Sequence, residues 1–103
     1  MSRNKIFTLF FGAKALGTVT NISFDQPWIN ADFTPFDDAN SFQGFFDACT
    51  DDDGPLPEPG GEFPDEYFDD ERWTVVAQDG ERRNICLPAV DWNEGTISWR
   101  WRQ

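Results

Sequence analysis

The stretch WTVVAQDGERRNICL, residues 73–87, sets two short runs rich in apolar or β-branched residues on either side of an Asp79-Gly80 pair. Asp-Gly in that position is a strong hairpin signal, because Gly supplies the positive φ that a tight two-strand connection demands. An antiparallel sheet is therefore expected, and Pro88 is expected to end its strand because proline has no N–H for the ladder. After a turn around residues 93–95 comes TISWRWR, residues 96–102, in which Ile97, Trp99 and Trp101 share one face and Thr96, Ser98, Arg100 and Arg102 the other. One face is core and the other meets solvent or a partner.

Towards the N-terminus, IFTLFF, residues 6–11, is apolar on both faces, the pattern of a strand in the middle of a sheet, with Phe7, Leu9 and Phe11 on one side. A turn at residues 12–14 leads to a second strand over residues 15–24, where Thr18, Thr20, Ile22 and Phe24 are expected to share a face. A third short strand runs from Trp28 to Phe33, until Pro35 stops it. Asp37 or Asp38 then caps a helix of about three turns, on which Ala39, Phe42, Phe45, Phe46 and Cys49 recur at three- and four-residue spacing. Residues 50–63 form an acidic loop rich in Pro and Gly, and Pro64 opens a second short helix carrying Tyr67 and Phe68. The order strands, helices, strands predicts an α+β fold: an antiparallel sheet of about five to six strands with one or two short helices on one face. Residues 1–103 are read as a single domain.

Composition bounds the function. With 39% hydrophobic and 17% aromatic residues in 103, there is enough large apolar side chain for one core. The net charge is −11, and no Lys or Arg occurs between Lys14 and Arg72. Such a field repels nucleic acid and anionic membrane surfaces, and leaves basic proteins, cations or plain solubility as its uses. The opening MSRNKIFTLFFGAKALG imitates a signal peptide, but its apolar run is short and holds Thr8, so it reads as a strand of a soluble, cytoplasmic protein. Cys49 and Cys86 read as small core residues in preference to a disulfide.

The stretch GTVTNISFDQPWINADFTPFDDANSFQGFF, residues 17–46, resembles a family of small bacterial proteins without assigned activity. In these a hairpin carrying Gly17 and Val19 leads to a Pro-Trp pair, here Pro27 and Trp28, then to an aromatic and a proline before a helix, here Phe33 and Pro35. Phe42, Phe45 and Phe46 follow. The resemblance implies a strands-helices-strands fold and brings no chemistry; Gln26 and the acidic loop depart from its pattern.

No His is present, so the usual proton shuttle of nucleophilic catalysis is missing and a non-enzymatic role without cofactors is expected. Asp51, Asp52 and Asp53 before Gly54 invite a calcium reading, but Cys49 and Gly60 stand where an EF-hand needs its first carboxylate and closing Glu. A solvated charge run fits them better. Among the five Trp, Trp92, in a polar turn, is the best candidate for an exposed ring that could stack on sugars. In the second helix Asp65 with Asp69, and Glu66 with Asp70, place like charges four residues apart, which opposes an α-helix. The leading expectation is an interaction domain of inhibitor or immunity type, binding a basic protein through Asp65, Glu66, Asp69 and Asp70 with Tyr67 or Phe68 as anchor. A sugar-binding module, a weak calcium domain, a small hydrolase and a housekeeping domain with solubilising charge are the alternatives.

Overall fold

The computed structural model describes residues 6–25, 28–50, 57–58 and 60–101. Seven strands, β1 (Phe7–Phe11), β2 (Lys14–Asp25), β3 (Trp28–Pro35), β4 (Trp73–Ala77), β5 (Arg82–Asn84), β6 (Ala89–Asp91) and β7 (Thr96–Trp99), form one sheet in the order β5-β4-β1-β2-β3-β7-β6. Every neighbouring pair is antiparallel. Between β3 and β4 lie a 3-10 segment, Asp37–Phe42, the helix α1, Gln43–Thr50, and two further 3-10 segments, Asp65–Phe68 and Asp70–Arg72. The α+β class holds, but there are more strands than the five or six expected. β5 ends at Asn84, ahead of Pro88, and a further strand not expected from the sequence, β6, starts after four intervening residues at Ala89 and pairs with β7.

That connection bends the sheet. β5 and β6 are its two edges, yet only a few residues separate them, so the edges must lie close together. Ile85 makes an antiparallel bridge with Trp101, and the Cys86 N–H donates to the Arg100 carbonyl at 2.9 Å. These two contacts join the chain just after β5 to the chain just after β7, so the hydrogen-bonding edge of β5 is partly covered.

Alternation selects what fills the core. Phe7 and Leu9 of β1, Ile29, Ala31 and Phe33 of β3, Trp73 and Val75 of β4, and Ile97 and Trp99 of β7 are buried on the inner face, joined by Ile85 and Val90. β2 does not alternate as expected. A bulge between Thr20 and Ser23 inserts one residue, with Asn21 at φ 54°, so Thr18 and Thr20 fall on the side opposite to Ile22 and Phe24. Asn accepts a left-handed conformation more readily than other side chains do, which lets the strand change phase without a glycine.

The segment after β3 covers the core with Ala39, Phe42, Phe45 and Phe46, the face expected from their spacing. It begins as a 3-10 helix capped by Phe36, with no side-chain cap bond, so Asp37 and Asp38 are exposed acids of its first turn and not its cap. Phe42 packs on Phe11 at 5.1 Å, stacks on Tyr67 at 4.6 Å and meets Trp73 at 6.0 Å, while Phe46 lies 5.8 Å from Trp73. Edge-to-face and offset pairs of this kind add to the stabilisation that comes from area alone.

Two glycines separate packing from propensity. A methyl on Gly17 would lie 2.5 Å from the Thr34 carbonyl oxygen and 2.7 Å from the Phe33 ring, so Gly17→Ala is expected to cost ~1–3 kcal/mol in urea denaturation through overpacking. Gly44, inside α1 with open space around it, should gain ~0.5–1 kcal/mol on change to Ala.

Candidate functional site

The second short helix expected after Pro64 is realised as two separate 3-10 turns. Residues 65–68 make one 3-10 turn started by Pro64, the chain extends at Asp69, and a second turn follows over Asp70–Arg72. The break gives most of the acids a local task. The Asp65 carboxylate accepts from the Gly60 N–H at 2.6 Å, and Asp69 caps the second turn by accepting from the Glu71 N–H at 3.0 Å. Asp70 accepts from the Leu87 N–H at 2.9 Å, tying the run to the connection between β5 and β6. Glu66 is exposed, and its carboxylate accepts no hydrogen bond among the described residues, although its carbonyl accepts from the Asp69 N–H at 3.2 Å. The repulsion expected across a helix is therefore relieved by three backbone donors, of which the Glu71 N–H lies within the two turns and those of Gly60 and Leu87 come from outside them.

Tyr67 and Phe68 are both partly buried. Tyr67 stacks on Phe42 and meets Phe11 and Phe45 edge-on at 5.4 and 5.1 Å, and its carbonyl accepts from the Trp73 indole N–H at 2.9 Å. Its ring belongs to the core. Phe68 meets Phe45 edge-on at 5.3 Å and also lines an apolar notch of about 230 Å³ with Cys49, Pro57, Leu87, Pro88 and Ala89. Asp70 borders the notch through its bond to Leu87. The structure thus brings Phe68 and Asp70 to one place, while Asp65 and Glu66 lie on the preceding turn.

Around the notch the charge is largely uncompensated. Among the described residues the run has a single ion pair, Arg72 to Asp69 at 3.6 Å, and Asp47, Glu58, Glu62, Asp65, Glu66 and Glu71 are exposed. Among the described residues no group of three or more carboxylates and thiols converges as a metal site. Asp51, Asp52 and Asp53 lie outside the described residues, as does Pro27 of the Pro-Trp pair.

Both cysteines are free and half-buried. Burial pushes the Cys49 thiol above its ordinary pKa, so at neutral pH it is protonated and a weak nucleophile. Trp92, expected to be exposed, packs on Phe46 at 6.4 Å and on Phe33 at 6.5 Å as part of the core's margin. Trp28 is the open ring, 43% exposed, with the Arg100 guanidinium 6.0 Å from its centroid. The turn composition around Trp92 concealed its packing, whereas the polar positions alternating with Ile29 on β3 were the signal that Trp28 faces outwards. Phe33, buried, lies against Gly17, and Pro35 ends β3.

No helix among the described residues is long and apolar enough to cross a membrane. Comparison with family models, with curated proteins and with solved structures finds no match for this chain.

The carboxylates can be ranked by stability. Asp69→Ala and Asp70→Ala should each destabilise by ~1 kcal/mol, because each strands a backbone N–H, while Glu66→Ala should change the urea midpoint little or raise it by relieving repulsion. Asp70→Asn keeps an acceptor and should recover most of the loss.

Proposed function

We propose that this protein is a non-catalytic interaction domain that docks a basic protein on the acidic run over residues 47–71. The observation that carries this reading is the apolar notch lined by Phe68, Leu87 and Ala89 beside exposed carboxylates that, Asp69 with Arg72 apart, have no ion-pair partner among the described residues. The charge draws a basic surface in and orients it, and an apolar side chain entering the notch supplies the short-range anchor. Charge complementarity selects a protein rich in Lys and Arg; the same field disfavours nucleic acid and anionic lipid. In this role Asp65, Asp69 and Asp70 hold the shape of the surface, whereas Asp47, Glu62, Glu66 and Glu71 supply free charge.

This division fixes the experiment. The chain and a variant carrying Asp47→Asn, Glu62→Gln, Glu66→Gln and Glu71→Gln are used to capture basic proteins from lysate, and affinities of the captured species are measured at rising salt. The reading expects affinity that falls with ionic strength and is weakened at least ~10-fold in the variant. Alkylation of Cys49, mapped by mass spectrometry above the ordinary thiol pKa, should slow when the partner is bound, because the thiol lines the notch. Binding that is indifferent to salt and to the four changes, or that leaves Cys49 as reactive as before, overturns it.

A further inference from the structure

We propose that the outer face of β2, β3 and β7 binds a neutral oligosaccharide, with Trp28 as the stacking platform. The register pairs Ser23 with Asn30, Asn30 with Ser98, and Asp32 with Thr96, so these side chains stand on one side of three adjacent strands. With Asn21 they line an open cavity of about 320 Å³. Only Ala31 and Ile97 interrupt the polar lining.

The lining is ordered by its own hydrogen bonds. The bulge turns Asn21 so that its Nδ2 donates to Asp32 Oδ2 at 2.7 Å, and Ser98 Oγ donates to Asn30 Oδ1 at 2.6 Å. Bulges recur beside binding sites because they re-aim one side chain out of the pleat. Among the described residues no side-chain hydrogen bond engages Nδ2 of Asn30, Oδ1 of Asp32, or the hydroxyls of Ser23 and Thr96. The cavity therefore offers free donors and free acceptors side by side, the pairing that vicinal sugar hydroxyls require, since each hydroxyl both donates and accepts.

Trp28 stands on the same side of β3, two residues from Asn30 and so about 6.6 Å along the strand. Arg100 buttresses its indole, yet 43% of the residue stays open to solvent. An open indole beside fixed planar amide and carboxylate groups suits a pyranose: the C–H face of the sugar lies on the ring while its equatorial hydroxyls reach the polar side chains. Charge narrows the class further. Asp32 in the lining and a net charge of −11 disfavour uronic acids, sulfated glycans and the phosphates of single-stranded nucleic acid. A protein segment would need more apolar lining than Ala31 and Ile97 provide. These residues are separate from the acidic run, so this proposal stands or falls independently of the one above.

The test is titration of the full chain with cellohexaose, xylohexaose, mannohexaose and chitohexaose, followed by NMR at the Trp28 indole N–H and the Asn30 side-chain amide, with calorimetry for affinity. At least one sugar is expected to shift both signals and to bind with a submillimolar Kd. Trp28→Ala and Asn30→Ala should each weaken binding at least ~10-fold with an unchanged thermal midpoint, since neither side chain is core, and Trp28→Phe should keep part of the affinity. The proposal is overturned if none of the four sugars binds, if the shifts map elsewhere, if Trp28→Ala binds like the parent chain, or if polygalacturonate binds more tightly than the neutral sugars.

Discussion

The stack of Phe42, Tyr67, Phe11 and Trp73 is the contact on which the rest of the molecule depends. It joins three parts of the chain that differ in local preference: the first hairpin, the helical segment after β3, and the acidic run before β4. Because the Trp73 indole N–H is held by the Tyr67 carbonyl, the run is fixed at its apolar residues and its acids are turned outwards. Burial of Tyr67 thus decides where the charge goes. Segregation of this kind lets a chain with few basic residues keep a dry core and a strongly negative surface with a single ion pair among the described residues, an interaction whose net worth at a surface is small.

Much of the architecture was legible because it follows from period and turn chemistry. The shared faces of β1 and β7 and the buried face of the helical segment could be read from spacing alone, as could the Asp79-Gly80 turn, where Gly80 takes φ 94°. What escaped depends on contacts distant in sequence. The bulge at Asn21 has no glycine to announce it, so strict alternation was carried past it. The strand β6, which begins at Ala89 directly after Pro88, was not read from the sequence at all.

Hydrogen-bonding roles within the acidic run were not legible. The sequence located the acids, but their roles as acceptors depend on partners at Gly60, Glu71 and Leu87, the last seventeen residues away from Asp70. Like charges four apart were read as repelling across a short helix, whereas the chain breaks at Asp69, which caps the second turn. The same limit applies to the tryptophans: a polar neighbourhood in sequence surrounds Trp92, which is packed, and an apolar neighbour follows Trp28, which is open. Burial belongs to faces and not to segments.

The joining of β3 to β7 also governs the order in which this chain can fold. Ile29 pairs with Trp99, so β3 receives its second neighbour only after β7 has been synthesised, and until then it presents an unpaired edge. Pairings so remote in sequence make for slow closure, and an open strand edge invites pairing with another copy. The residues made in the interval include the acidic run. Its charge therefore travels with the incomplete sheet during the time when contact between nascent or half-folded chains is most hazardous, and mutual repulsion keeps those edges apart until β7 pairs with β3.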